Sequence, residues 1–361
     1  MEKQRIIELD ILKCIGIVMV VIGHTECPSL LDSMIYFIHM PLFFYLSGVT
    51  NRDDCYYNNW TNIKEFLAKR VKTLYIPFLK FAIPICILHN LFFAIGLYNI
   101  HYNTTQYIQQ ILRTIFFSVG ETEPFLPQLW FIKVLFLAEM FYAVIVYLCK
   151  KMCIDKWCAI VPLCTIFFLM PTEWFPHIMY TNFIWPIRAL LFYALGSIHS
   201  KIIDSRLSSC YVMLIGLFLW IFASVWYGHI GINGVYGLSA LILMYLVFFT
   251  VPVFYSLASW IKEFKVGTML AGGGRMCMHV YFWHYVVFGV TSAIYVWMIC
   301  PTVDNLQALS CSCFVEGILW WQYSIIVFGL MGTLKSVRGR ICKILVNRKD
   351  HRKHINSETN T

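Results

Sequence analysis

The chain has 361 residues, of which 59% are hydrophobic and only 13% carry a charged side chain. A soluble domain carries about 25% charged residues, so this composition excludes an ordinary soluble enzyme and indicates a polytopic membrane protein. The formal net charge is +9, and the mean hydropathy is +0.68. No polar block in the sequence is long enough to form a separate large soluble domain.

Ten apolar stretches have the length of a membrane-spanning helix. In chain order they are residues 8–27, 33–49, 75–98, 129–149, 157–171, 181–199, 210–228, 235–256, 277–299 and 317–334. The expected fold is therefore all-α, a polytopic membrane helical bundle of about ten transmembrane helices with both termini cytoplasmic. This orientation puts most of the 28 Lys and Arg residues in cytoplasmic segments, as the positive-inside rule requires.

We expect an integral-membrane acyltransferase-sized domain over residues 1–340 and a basic cytoplasmic tail over residues 341–361. The Lys and Arg residues of the tail favour contact with anionic lipid headgroups over contact with nucleic acid. Membrane lipids are thus an expected partner and nucleic acid is not, while the sequence leaves the oligomeric state open.

Three further patterns concern the connections between spans. Apolar residues recur every three or four positions over residues 106–118, which predicts an interfacial helix. Gly272-Gly273-Gly274 precedes the ninth span and indicates a turn or a helix start more than a nucleotide-binding loop. No Cys or His cluster has the spacing of zinc ligands, so we expect no metal cofactor.

The first span carries two ionisable residues, Lys13 and His24, which are eleven positions apart. Eleven positions on an α-helix advance about 1100°, which returns to nearly the same face with a rise of roughly 16 Å. Ionisable side chains inside a membrane are costly and usually face the bundle interior or a cavity. This polar stripe on an apolar helix therefore predicts a functional site.

The predicted topology places the ionisable residues of the spans at two depths. The outer half is expected to hold His24, His39, Lys133 and Arg188, and the cytoplasmic half Lys13, Arg70, Lys80, His279 and His284. This pattern indicates a polar conduit with an imidazole site facing outward and a cationic site facing inward. Two structural alternatives stay open, because buried histidines also hydrogen-bond neighbouring helices and long lysines also snorkel to the interface.

Five blocks of sequence occur together in a characteristic order. They are Leu9-Asp10 with Lys13 and His24; Phe37-Ile-His39-Met-Pro-Leu-Phe-Phe44 with Ser47-Gly48; Lys69-Arg70 through Pro77; Leu129-Trp130-Phe131; and Val280-Tyr281-Phe282-Trp283-His284. In these blocks the chain resembles the acyltransferase-3 family of integral-membrane acyltransferases, and within it the branch that contains fucose 4-O-acetylase. It departs from the family where Lys13 replaces a frequent Arg and where Gly274–Met278 lacks the usual Asn and hydroxyl residue.

The resemblance implies a membrane-bound O-acetyltransferase in a bacterial inner membrane. It implies that acetyl moves from cytoplasmic acetyl-CoA, the co-substrate, to a hydroxyl of an extracytoplasmic cell-surface glycan or lipid-linked sugar. Lys13, Arg70 and Lys72 are the candidates for binding the phosphates of the acyl-CoA. His24 is expected either to remove the proton of the acceptor hydroxyl or to accept the acyl group itself.

Further roles follow from the same resemblance and the predicted depths. His39 is expected to orient the acceptor or to act as a second acid or base. Arg188 is a candidate for stabilising the oxyanion, a role for which Trp130 and backbone donors compete. Trp130, Glu121 and Glu123 are the candidates for binding the sugar at the outer surface.

Other classes of membrane protein also place charges inside a helical bundle. A transporter or flippase of glycan intermediates fits the helix count, although such proteins often show internal repeats and none is visible in this sequence. A sensory module without chemistry and a glycan polymerase are further alternatives. Consumption of acetyl-CoA separates the acyltransferase hypothesis from the transporter and sensor alternatives.

Overall fold

A computed structural model describes residues 6–51, 57–116, 123–171, 174–176, 179–199, 210–229, 231, 237–299, 319–330 and 332–333. Over these residues the secondary structure is helical and includes no β-strand, which confirms the all-α prediction. Glu121 and the predicted basic tail at residues 341–361 lie outside the described residues.

The α-helices follow one another along the chain with short connections. They are α1 (Ile7–Gly23), α2 (Ser29–Val49), α3 (Trp60–Arg70), α4 (Ile76–Ile87), α5 (His89–Ala94), α6 (Thr104–Phe116), α7 (Trp130–Lys151), α8 (Trp157–Leu169), α9 (Trp185–Ser197), α10 (Cys210–Tyr227), α11 (Leu238–Ile261), α12 (Lys265–Gly274) and α13 (Cys277–Ile299). Residues 320–330 form a further helical stretch.

Two π-helical turns interrupt regular helix, and each comes just before a proline. Val71–Tyr75 joins α3 to α4 ahead of Pro77, and Tyr180–Ile184 leads into α9 ahead of Pro186. A proline has no N–H to donate to the carbonyl four residues earlier, so a widened turn is a natural way to continue the helix. Such π-turns occur frequently at functional sites.

Of the helical segments that the structure describes, three are long and apolar enough to cross a membrane, and they cover Ser29–Val49, Pro127–Lys151 and Cys277–Met298. Trp157–Leu169, Leu214–Tyr227 and Phe248–Ile261 are shorter apolar helices. The predicted count of ten spans is therefore not confirmed. One predicted span, residues 75–98, is divided between α4 and α5, because the helix breaks at Leu88.

The connection predicted as an interfacial helix at residues 106–118 does form a helix, α6. Ile108, Leu112 and Phe116 expose their apolar side chains on it, while Gln110 and Thr114 are buried. An amphipathic helix that exposes an apolar face fits a position along a lipid headgroup layer.

Helices α2 and α9 cross closely because a glycine stands on each side of the contact. A Cβ atom on Gly48 would collide with the backbone oxygen of Tyr193, and one on Gly196 would collide with the backbone oxygen of Tyr45. Small residues at such crossings let helix backbones approach in membranes. This contact orients the end of α2 that carries Ser47.

The glycine run Gly272–Gly274 lies in the last turn of α12, so the prediction of a helix start at these residues is wrong. A Cβ atom on Gly274 would collide with the backbone of Asp10, and one on Gly273 would lie 2.7 Å from the Sγ atom of Cys14. The absence of side chains therefore serves the packing of α12 on α1, next to Lys13.

Candidate active site

Three histidines from three helices meet at one end of the bundle. His24 follows the last residue of α1, and the ring of His284 from α13 stacks on it, with centroids 5.6 Å apart and planes inclined by 22°. Tyr36 of α2 lies edge-on to both His24 and His39, with ring centroids 6.1 and 4.9 Å away. We call His24, His39, His284, Tyr36 and Tyr285 the imidazole cluster. Its membership corrects the predicted depth of His284, which does not lie with the lysines.

Hydrogen bonds to backbone carbonyls set the proton positions of two of these rings. The Nδ1 atom of His39 lies 2.8 Å from the oxygen of Ile35, and that of His284 lies 2.8 Å from the oxygen of Tyr281. A carbonyl only accepts hydrogen bonds, so both Nδ1 atoms are donors. In the neutral imidazole the lone pair is then on Nε2. Both rings are buried, at 3% and 0% exposure.

His24 has different partners, because two tyrosine hydroxyls converge on its Nδ1 atom. The hydroxyl of Tyr36 lies 3.3 Å away and that of Tyr285 lies 3.2 Å away. A hydroxyl both donates and accepts, so either tautomer of His24 can be accommodated. When Nδ1 donates to a tyrosine oxygen, the Nε2 atom of this partly exposed ring carries the lone pair that a general base needs.

An acid and an imidazole form the rim of the cluster. The Nδ1 atom of His229 lies 2.5 Å from a carboxylate oxygen of Asp32, and the ring of His229 lies 4.0 Å from the ring of Tyr36. The His229 side chain is 52% exposed. Sequence reasoning missed this pair because its two residues are far apart in the chain, and no local pattern links them.

A cavity of about 310 Å³ lies between α1, α2, α7 and α13. Its lining combines two cations with hydroxyl and thiol groups and includes Lys13, Ser47, Thr50, Arg275, Cys277 and Tyr281. We call it the basic cavity. Arg275 was not among the predicted donor-binding residues, although it lies in the stretch where the sequence departs from the family pattern.

Tyr281 joins the basic cavity to the imidazole cluster. Its ring lines the cavity and lies 6.1 Å from the ring of His284, which is one turn further along α13. Its hydroxyl donates a hydrogen bond to the backbone oxygen of Gln128, at the start of the helix that bears Trp130. The two polar regions therefore lie on one path through the bundle, as the predicted conduit requires.

Arg70 and Lys72, two of the predicted donor-binding residues, lie beside the basic cavity. Arg70 ends α3 and forms an ion pair through Nε with Glu139, at 3.0 Å. Lys72 is exposed in the π-turn that also carries Leu74, a residue of the cavity wall. Lys13, inside the cavity, lies 3.7 Å from Asp10.

Arg188 and Lys133 contact helices that do not carry the histidines. The guanidinium of Arg188 donates hydrogen bonds to the backbone oxygens of Phe167 and Met170 and to the hydroxyl of Tyr180. Lys133 donates to the backbone oxygen of Thr114 in α6. These contacts suit residues that fasten neighbouring helices, and the oxyanion role of Arg188 stays a prediction.

Trp130, one of the predicted sugar-binding residues, is partly buried, and its ring packs against Trp185 at a centroid distance of 5.2 Å. Trp130 opens α7 and Trp185 opens α9. The contact therefore joins the first residues of these two helices, and sugar binding by Trp130 stays a prediction.

Glu123 is 3% exposed, so its predicted position on the surface is wrong. Its carboxyl lies 2.8 Å from Nδ1 of His89, whose Nε2 lies 2.8 Å from the oxygen of Ile100. Because that carbonyl makes Nε2 the donor, the pair holds one proton between Nδ1 and the carboxyl. Burial raises the pKa of Glu123, and the hydrogen bond from His89 acts in the opposite direction.

Comparison with known proteins identifies the family directly. The family profile described as an acyltransferase domain matches residues 6–333, which is nearly the whole chain. No curated protein and no solved structure matched the chain. The match covers every residue of the imidazole cluster and of the basic cavity. The chain therefore belongs to the acyltransferase-3 family and is a membrane acyltransferase.

Proposed function

We propose that this acyltransferase moves acetyl from acetyl-CoA to a hydroxyl of a cell-surface glycan or lipid-linked sugar on the other side of a bacterial inner membrane. The observation that carries the proposal is the juxtaposition of a cavity containing Lys13 and Arg275 with a cluster of histidines, through Tyr281. Positive charge at one end suits a polyanionic donor, and imidazole at the other suits transfer to a hydroxyl.

The basic cavity fits the thin end of an acyl-CoA. Its volume of about 310 Å³ corresponds to roughly ten water molecules at their volume in the liquid, enough for a pantetheine arm and too little for the nucleotide. The nucleotide phosphates would then stay at the mouth, near Arg275, Lys72 and Arg70. The bias of Lys and Arg toward connections on this side supports a cytoplasmic orientation of the cavity mouth.

In the direct route, the Nε2 atom of His24 takes the proton of the acceptor hydroxyl while the hydroxyl oxygen attacks the thioester carbonyl. The C–S bond then breaks, and the proton passes from His24 to the sulfur of the departing CoA. Tyr36 and Tyr285 hold the ring through its Nδ1 atom during both proton transfers.

In the two-step route, Nε2 attacks the thioester, CoA leaves, and the acyl-imidazole passes acetyl to the hydroxyl. Here His39 or His284 is placed to accept the acceptor's proton, since each has its lone pair on Nε2 and lies within the cluster.

The rim pair supports a sugar as acceptor. The carboxylate of Asp32 accepts hydrogen bonds from hydroxyls, and the ring of Tyr36 beside His229 offers a face for packing. Exposure of His229 at this end gives an acceptor from the surroundings access to His24 without passage through the basic cavity.

The test is turnover of radiolabelled acetyl-CoA by the purified protein in nanodiscs, with an extract of envelope glycans as acceptor. We expect label to move to glycan with the wild type and not with His24→Ala. The matched control is His101→Ala, which removes an exposed imidazole from a connection. Glycan translocation without CoA release, or no turnover by folded protein with varied acceptors, would contradict the proposal and favour a flippase or a sensor.

A further inference from the structure

A carboxylate lies in the middle of α7, inside the bundle, where the sequence shows an otherwise apolar span. Glu139 is fully buried. The hydroxyl of Ser47 donates a 2.8 Å hydrogen bond to one of its oxygens, and Nε of Arg70 lies 3.0 Å from the other. Glu139 thus connects the wall of the basic cavity with the cation at the end of α3.

Such a pair is expensive where it lies. Each ion loses hydration on burial, and a buried ion pair often stabilises a fold no better than apolar residues of similar size. Ionisable residues within membrane spans accordingly tend to be functional. The fold alone gives no reason to have an acid at this position of α7, since residues such as Val134, Leu135 and Ala138 fill the core around it.

The geometry leaves the useful part of Arg70 available. The ion pair uses Nε, and the guanidinium lies 5.2 Å from the ring centroid of Phe66. Among the residues that the structure describes, none accepts a hydrogen bond from the two terminal nitrogens of Arg70. Those nitrogens form the fork with which arginine binds phosphate through two parallel hydrogen bonds.

We propose that Glu139 is a positioning residue for the donor, which holds the Arg70 guanidinium by its Nε edge so that its fork faces a phosphate of the acyl-CoA. Ser47 completes the arrangement, because it lines the cavity and fixes the other oxygen of Glu139. This inference rests on the proposed use of acyl-CoA and adds the residue that orients its phosphate site.

The test compares two donors, acetyl-CoA and acetyl-pantetheine, which carries the same thioester without phosphates. For Glu139→Gln we expect the KM for acetyl-CoA to rise about tenfold, the effect of losing one charge-assisted contact. The KM for acetyl-pantetheine and the kcat with either donor stay near the wild-type values. Glu139→Asp, which keeps the charge on a shorter side chain, recovers part of the loss for acetyl-CoA.

Glu263→Gln is the matched control, because that carboxylate is 70% exposed and lies outside the cavity. A merely structural role for Glu139 predicts equal losses with both donors, or a fall in kcat, and either result would overturn the proposal. Equal KM values for the two donors in the wild type would overturn it as well. Failure of the proposed function has a separate signature, since the wild type would then turn over neither donor.

If Glu139→Gln does not fold, Glu139→Asp carries the same comparison between donors. A selective rise in the KM for acetyl-CoA supports the positioning role, and a parallel rise with both donors contradicts it.

Discussion

The imidazole cluster and the basic cavity solve opposite problems in the same bundle. In the cluster, His39 and His284 are held by backbone carbonyls and His24 by tyrosine hydroxyls, without a full charge on any partner. In and beside the cavity, the cations Lys13 and Arg70 are each next to a buried carboxylate, Asp10 and Glu139.

The difference reflects what each end has to do. A group that takes up and releases a proton works best when its two forms differ little in free energy, which neutral hydrogen-bond partners permit. A group that binds an anion must keep its charge within a poorly hydrated bundle, and a nearby carboxylate makes that possible. The two ends share α1 and α2, so substitutions on these helices can separate their roles.

The largest expected effect separates the two ends on α1. His24→Ala should lower kcat for acetyl transfer by about 10²–10⁴-fold, the usual contribution of a general base. Lys13→Gln should instead raise the KM for acetyl-CoA and leave kcat nearly unchanged, since its charge contacts the donor and not the reacting atoms. Steady-state CoA release measures both, and a Lys13→Gln variant that lost kcat alone would remove the proposed division.

The next effect concerns the contact that holds α2 in place. Gly48→Ala puts a Cβ atom against the backbone of Tyr193, and overpacking of this kind typically costs about 1–3 kcal/mol. We expect a lower midpoint of thermal unfolding in detergent. Gly329→Ala is the control, because a Cβ atom there meets no atom within 4 Å; equal midpoints for the two variants would contradict the close crossing of α2 and α9.

A smaller effect is expected from the hydroxyls around His24. Tyr285→Phe removes one of the two partners of Nδ1 and leaves Tyr36 in place, so kcat should fall by roughly tenfold, as for loss of one hydrogen bond of about 1 kcal/mol. The Tyr36→Phe/Tyr285→Phe double variant should fall by more than the product of the single losses. Independent losses in the double variant would show that the hydroxyls do not act on one atom.

The smallest effect is a pH dependence away from both sites. Burial raises the pKa of Glu123 above the reference value of 4.5, so the folded state binds more protons than the unfolded state just above that pH. Stability therefore falls as the pH rises through this window. We expect hydrogen exchange in residues 98–107, corrected for its intrinsic pH dependence, to increase with pH.

Glu123→Gln supplies the control for this pH effect, because its amide N–H donates to Nδ1 of His89 at every pH. Exchange that rises equally in the wild type and in Glu123→Gln would rule out the shared proton between Glu123 and His89.

Much of the site was visible in the sequence where its residues lie on one helix. The eleven-residue spacing of Lys13 and His24 follows from the helical repeat, and α1 has the predicted residues at the cavity and at the cluster. His39 also lies in the cluster as expected. The depth assigned to His284 was wrong because α13 begins only at Cys277, after a break at residues 275–276, and about two turns carry its ring to the level of His24.

The sequence by itself determined the membrane class, the all-helical fold, the family and the polar stripe of α1, because composition and the helical repeat are local properties. Only the tertiary structure decided that His284 stacks on His24, that Glu139 pairs with Arg70, and that Glu123 is buried against His89. Which faces of distant helices meet depends on how glycines and bulky side chains pack together, and no periodicity along one segment records that choice.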